Sequence, residues 1–155
     1  VQFPGVNPPQ FEWARNLLPE QPRPVAPVFQ PEAAARAIVR AAEQAPRELW
    51  VGMPTVKTIL GGMALPGLLD RLLARQAYSG QQTGEPALDR PDNLETPYPG
   101  KHRAHSRFGD HARHQAVQLR SETVIRTLIG AASLAALTVG VLAARAAKAG
   151  RRMLQ

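Results

Sequence analysis

The sequence predicts a mixed α/β fold, mostly helical, in which a crossover helix and a short strand form part of a parallel sheet. A long irregular segment follows, and then a hydrophobic helix near the C-terminus. Three observations carry this prediction. Within residues 32–44, Ala35, Ile38 and Ala42 fall three or four apart with Val39 beside them, while Arg36, Arg40 and Glu43 occupy other faces, as in an amphipathic helix. Residues 48–52, Glu-Leu-Trp-Val-Gly, form a short apolar run of the kind that fills a buried strand. Residues 127–144 make 18 consecutive positions without a charge, bounded by Arg126 and Arg145.

In chain order, Val1, Gln2 and Phe3 read as the end of a strand, as if the chain began inside one, with no signal peptide ahead of it. Pro4, Pro8 and Pro9 then impose a loop, because proline donates nothing to a ladder and restricts the residue before it. A short helix is expected over 11–18, and Pro19, Pro22, Pro24 and Pro27 keep the following stretch extended. Pro31 suits a first helical position and Glu32 the positive end of the helix it opens; Pro46 ends that helix. A lone helix and strand cannot cover both their faces, so this piece calls for neighbouring strands that the chain does not supply. Residues 55–76 carry two helical stretches interrupted by Gly61, Gly62 and Pro66, with Leu68, Leu69, Leu72 and Leu73 as a packing seam. Residues 78–119 are mostly Gly, Pro, Asp, Arg, Gln and His and read as irregular or disordered.

The uncharged stretch lies at the short end of what a bilayer needs, about 20 residues for roughly 30 Å of hydrocarbon. Lys148, Arg151 and Arg152 beyond it can snorkel and lengthen the span, and Ala136, Gly140 and Ala144 recur every fourth residue, a spacing that lets membrane helices approach closely. A membrane helix is the reading adopted; a buried or frayed alanine-rich helix is the alternative. Arg113, Arg120 and Arg126 make the other flank basic too, so orientation is not encoded.

Composition removes several function classes. The net charge is +7, but the 19 Lys and Arg are scattered and aromatics amount to 5%, which leaves no stacking platform for a nucleic acid, and no nucleic-acid partner is expected. The absence of cysteine excludes disulfides, thiolate ligands and thiol nucleophiles. His102, His105, His111 and His114 form two His-x-x-His pairs, yet Lys101, Arg103, Arg107 and Arg113 around them oppose a dication and nothing apolar frames the ligands, so no metal site is assigned. There is no Gly-x-Ser-x-Gly elbow around Ser79, Ser106, Ser121 or Ser133, and Gly61 and Gly62 match no phosphate-binding loop.

Four features in order, namely the run from Phe3-Pro4-Gly5 through Val6-Asn7 to Pro8-Pro9, the helix opening at Pro31-Glu32, the stretch Ile38-Val39-Arg40-Ala41-Ala42, and Arg47-Glu48-Leu49-Trp50-Val51-Gly52, resemble the final third of short-chain dehydrogenase/reductase proteins. Gly67-Leu68-Leu69-Asp70-Arg71 and Arg90-Pro91-Asp92-Asn93-Leu94 look like a tail found in one bacterial branch of that family. The resemblance spans residues 1–115 and implies the C-terminal remnant of a Rossmann-type parallel sheet whose glycine-rich motif and catalytic Tyr-x-x-x-Lys pair are missing. It also implies a role for Pro4, Gly5, Val6 and Asn7 beside the nicotinamide, and for Phe11 and Trp13 over the substrate, although a cap packed for stability explains the two aromatics equally well. Pro8 stands where the family places a threonine that contacts the carboxamide, which removes a hydroxyl and a backbone donor. Tyr78 and Tyr98 lack a lysine four residues on, so no catalytic residue is assigned.

The resulting expectation is residues 1–53 as the oxidoreductase remnant, 54–77 as a helical extension, 78–119 as a linker and 120–150 as a transmembrane or membrane-associated helix. NAD or NADP and a small-molecule substrate belong to the full-length parent; the chain alone is expected to be inactive and to bind no cofactor. The alternative is a noncatalytic, membrane-anchored basic protein binding anionic lipid or a partner. The location implied is the membrane, with the remnant facing the cytoplasm, or the bacterial cytoplasm if the last helix does not insert.

Overall fold

The computed structural model describes residues 1–100 and 103–153, with side chains described as far as residue 145. It is a mixed α/β arrangement of short strands and four α-helices among those residues. Strand β1 (Gly5–Val6) pairs in parallel with β3 (Val28–Phe29), β2 (Glu20–Pro22) pairs antiparallel with β5 (Gln82–Pro86), and β4 (Leu49–Val51) pairs antiparallel with β6 (Gln118–Arg120). Ahead of β1, Gln2 bridges Trp50 in parallel, its N–H donating to the Leu49 carbonyl at 2.9 Å and its carbonyl accepting from the Val51 N–H at 2.9 Å. The first segment and β4 are thus parallel neighbours, and the connection between them contains helix α1 (Pro31–Gln44), the arrangement of a β-α-β crossover.

Pro31 occupies the first turn of α1, where its missing N–H costs nothing, and Glu32 follows it. The helix stops at Ala45, held in the left-handed region at φ 41°, with its N–H donating to the Ala41 carbonyl and Pro46 next. The face α1 buries is not the one its large apolar residues predict. Ala33 and Ala37 are buried and Ala41 packs beside Leu49 and Val51, whereas Ile38 is 52% and Val39 56% exposed. The physical reason is distance: a stripe of methyl side chains lets the helix axis come close to β4, and Ile38 and Val39 are left on a face that the described residues leave about half exposed.

Leu49, Trp50 and Val51 are each 1% exposed, as expected of an inner strand, but its neighbours come from this chain, Gln2 on one side and β6 on the other, against the expectation that the chain supplies none. Leu49 and Val51 meet α1, while Trp50 lines a cleft with Ile59, Met63 and Ile125 and donates its indole N–H to Glu48 at 2.9 Å. Complete burial of side chains this large contributes about 1.5–3 kcal/mol each.

Helix α2 (Met53–Ala64) contains Gly61 and Gly62 in its interior, and the break before helix α3 (Pro66–Gly80) falls at Leu65 and Pro66. The two glycines admit Leu69 of α3, whose methyls would lie 3.5–3.6 Å from a side chain there. Of the expected leucine seam only Leu69 is half-buried; Leu68, Leu72 and Leu73 are exposed. No helix forms over 11–18. A short 3-10 turn, Pro9–Glu12, replaces it, because the Asn16 amide bonds the Leu18 and Glu20 carbonyls and its oxygen accepts the Leu18 N–H, an alternative to helical bonding.

The stretch 78–119 holds more order than its composition suggests. It includes the end of α3, strand β5, the 3-10 turn Gly109–His111 and strand β6, and Arg113 bridges Phe29 in parallel. Helix α4 (Ser121–Met153) then leaves the edge of β4 without a flexible joint: the Ser121 N–H donates to the Glu48 carbonyl at 3.1 Å and the Arg47 N–H to the Glu122 carboxylate at 2.7 Å. In α4 the segment Ser121–Arg145, 25 residues, is long and apolar enough to cross a membrane, and none of its most apolar window is buried against the rest of the protein.

Candidate functional site

Pro4, Gly5, Val6, Pro8 and Phe11 come together on one wall of an open groove of about 410 Å³, whose far side is formed by Arg23, Pro24 and Val25. The turn is possible only with glycine at position 5, since a β-carbon there would stand 2.5 Å from the Val25 carbonyl oxygen. Gly52, at φ 80°, closes on the same turn from behind, a β-carbon at that position lying 3.1 Å from the Pro4 ring. Pro4 is therefore wedged between two glycine-dependent approaches, which fixes the direction of the chain at the groove. Arg23 donates its Nε–H to the Gly80 carbonyl at 3.1 Å.

Asn7 does not open onto this groove. It is fully buried, its N–H donating to the Phe29 carbonyl at 3.0 Å and its carbonyl accepting from Ser106 at 3.3 Å. Its amide nitrogen reaches Gln30 Oε1 at 3.4 Å and the Ser106 carbonyl at 3.5 Å, and its Oδ1 is buried with no partner among the described residues. The side chain thus ties β1 to the first residue before α1 and to the 103–117 segment. Pro8, beside it in the groove wall, has no N–H to offer.

Phe11 and Trp13 part company. Phe11 meets Phe108 edge-on at a centroid distance of 6.2 Å, with its backbone carbonyl held by Arg90 at 2.9 Å, and it reaches the groove. Trp13 lies against Tyr98 at 5.6 Å and does not line it. Neither Tyr78 nor Tyr98 lines the groove either.

Between these aromatics, Glu12 is met by the Arg103 guanidinium and by the Arg107 N–H at 3.1 Å. Burial pushes the Glu12 carboxyl up, but those hydrogen bonds outweigh it and hold it below its ordinary range. Glu32, at the start of α1, is also held low, first by its own backbone N–H and then by His105, 2.7 Å away. That His105–Glu32 pair borders a second open cavity with Arg36, His114 and Gln30. Of the histidine pairs, His102 lies outside the described residues. His105, His111 and His114 do not converge, and no group of three metal-ligating side chains occurs among the described residues.

Arg23 belongs to no motif in the sequence, and Arg90 and Arg103 stand out there only within a tail-like run and among the charges around the histidines. Their only signal was position: single arginines between prolines or in a polar stretch, indistinguishable from solvated charge until the chain folds.

Over 92 residues the chain is 32% identical to a protein of Bacillus subtilis (strain 168) called uncharacterized oxidoreductase YxnA. The match covers 58% of this chain and 26% of that protein, so the chain spans about a quarter of the length of this curated relative. No protein-family model matches the chain. No solved structure matches it either. The relationship is thus to an oxidoreductase in the general sense, carried by a sequence likeness and seated on a mixed α/β fold.

Proposed function

We propose that the chain is the C-terminal portion of an NAD(P)-dependent short-chain dehydrogenase/reductase, inactive as an oxidoreductase when alone and anchored to a membrane by α4. One observation carries the reading: the segment ending in the Pro4-Gly5 turn runs parallel to β4, with α1 in the crossover between them. The likeness to an oxidoreductase supports it. So do the uncovered faces, since Phe3 is 36% exposed with no backbone hydrogen bond among the described residues, and Ile38 and Val39 lie open. A sheet edge and a helix face left bare are what remains when a wider sheet loses its other strands.

The residues present supply one wall of a site and no more. A carboxamide arriving in the groove would meet Pro8, without a donor, and Asn7, whose polar atoms are buried behind the turn. No glycine-rich loop between a strand and a helix offers backbone N–H groups to a pyrophosphate. A bound nucleotide therefore does not fit this portion by itself, and no chemical step is assigned to it. The chemistry of the parent enzyme would be hydride transfer, with a tyrosine acid or base from the missing part.

The test is an NADH and NADPH turnover assay on the purified chain, paired with thermal unfolding in the presence of each nucleotide. Neither turnover nor a rise in melting temperature is expected, and either signal would refute the fragment reading. Reading the coding DNA upstream of Val1 in frame separates the alternatives further: a Thr-Gly-x-x-x-Gly-x-Gly turn and a Tyr-x-x-x-Lys pair are expected, and an in-frame stop beside a start codon would contradict it.

The second reading, a noncatalytic membrane-anchored protein, is favoured by one observation, the unburied apolar window of α4. Its basic flank would contribute on the order of 1 kcal/mol per residue at an anionic surface. Liposome flotation of the full chain tests the anchor common to both readings; recovery in the soluble fraction would remove it from both.

A further inference from the structure

The hairpin of α2 and α3 carries an apolar surface that the described residues leave exposed. Between residues 53 and 80 only Asp70 is acidic, against Lys57, Arg71 and Arg75, and all four are exposed. Gly61 and Gly62 let the two helices close on each other through Leu69. The other large apolar residues around the joint stay outside: Met63 is 64%, Leu65 61%, Leu68 53%, Leu72 45% and Leu73 37% exposed. Exposure is thus greatest at the joint and falls along α3, which beyond Leu73 turns polar at Arg75, Gln76 and Ser79. No residue of α3 is fully buried. Leu65, Leu68 and Leu72 follow one another at intervals of three and four, with Arg71 and Arg75 alongside, the pattern of a helix that lies in a membrane surface.

A contiguous apolar patch rimmed by charge marks a contact surface, and its place in the fold says with what. Ile59 and Met63 share a cleft of about 470 Å³ with Ile125 of α4. Ile125 stands two residues before the uncharged stretch of α4, about 3 Å along the axis at a rise of 1.5 Å per residue, so the joint sits at the level where α4 would enter a bilayer. The hydrogen bonds from Ser121 to Glu48 and from Arg47 to Glu122 fix the root of α4 to the sheet and so hold the hairpin beside it. The bare face of α1 has no such continuity, because α1 packs on Leu49 and Val51, across β4 from Trp50 and the cleft. Resting on the anchoring of α4 described above, we propose that the α2–α3 joint dips into the surface of the same membrane. Met63, Leu65 and Leu68 lie among the outer acyl carbons, and Arg71 and Arg75 lie at the level of the phosphates. The partner is a phospholipid surface, and the excess of cations over Asp70 favours an anionic one.

The chain has no cysteine, so one introduced cysteine gives one labelled position. Leu68→Cys, Ser79→Cys and Leu137→Cys, all at exposed sites, are made in the full chain and labelled with an environment-sensitive fluorophore. Each is placed in nanodiscs of phosphatidylcholine and phosphatidylglycerol that carry a nitroxide either near the glycerol end or near the methyl end of an acyl chain. The Leu68 label is expected to be quenched severalfold more than the Ser79 label, most strongly by the nitroxide near the glycerol end, while the Leu137 label responds most to the nitroxide near the methyl end. Met63→Cys repeats the test from the α2 side of the joint and is expected to match Leu68→Cys. Quenching at Leu137 with none at Leu68 or Met63 beyond that at Ser79 would overturn the proposal and leave the anchor standing, the face then belonging to another part of a longer protein or to a second copy. Absence of quenching at Leu137 would remove the anchor, and the proposal with it.

Discussion

Replacing Gly5 by alanine tests the turn on which the candidate site rests. The added methyl carbon would stand 2.5 Å from the Val25 carbonyl oxygen and 3.6 Å from that of Pro27. Relief requires a shift of most of an ångström, and both sides are backbone: Gly5 is paired with Val28 in the β1–β3 ladder, and Val25 leads directly into that strand. Overpacking of this kind costs about 1–3 kcal/mol. At about 4–8 °C per kcal/mol for a folded part of this size, the melting temperature should fall by roughly 4–24 °C. The assay is thermal unfolding of the full chain followed by tryptophan fluorescence, since Trp50 is fully buried and Trp13 half-buried. Gly67→Ala is the control: nothing lies within 4 Å of a β-carbon there, and in a helix the change should stabilise by up to about 1 kcal/mol. An unchanged melting temperature for Gly5→Ala would refute the close approach of residues 5 and 25.

Further outcomes follow from the same geometry. Ala45→Gly should stabilise by about 1 kcal/mol, because Ala45 ends α1 at φ 41° where glycine carries no steric penalty; urea unfolding measures it, and a loss of stability would contradict the left-handed cap. Ile38→Ser should change the stability of this chain by no more than about 0.5 kcal/mol, since the side chain is half exposed, and a cost of several kcal/mol would mean the face is covered. The Glu12 carboxyl is held below its ordinary value of 4.5, so its contribution to stability is present above that pH and is lost as pH falls through the lowered value. Wild type should therefore exceed Arg103→Gln in stability at neutral pH, and the gap should close on acidification below about 4.5; a gap that widens there would reverse the assignment.

What the sequence disclosed depended on how local the cause was. The unbroken apolar run at 49–51 marked an inner strand because burial on both faces leaves no room for alternation, and Pro31 and Pro46 bracketed α1 through constraints internal to the backbone. The face that α1 buries was not legible. Periodicity ranks side chains by hydrophobicity, and so favoured Ile38, but contact with β4 is decided by how closely two backbones approach, which favoured Ala33 and Ala37. The expected helix over 11–18 failed for a related reason: the Asn16 amide captures local carbonyls, and Arg15 is drawn to Asp92 at 2.7 Å, a partner far along the chain. Strand β5 and the bridge at Arg113 were hidden in a polar stretch because their ladder bonds come from backbone atoms, which carry no mark in the side chains. At the site, glycine at position 5 was foreseeable from a Pro-Gly pair, whereas the burial of Asn7 followed from the return of the 103–117 segment.

Backbone amide exchange in the isolated chain probes the claim that it is a crossover unit of a wider parallel sheet. The Val51 amide, bonded to the Gln2 carbonyl at 2.9 Å, should exchange slowly, and the Phe3 amide, which has no backbone partner among the described residues, should exchange at nearly the rate of an unfolded peptide. Protection of Phe3 equal to that of Val51 would show an edge closed within this chain, and free exchange at Val51 would remove the parallel pairing itself.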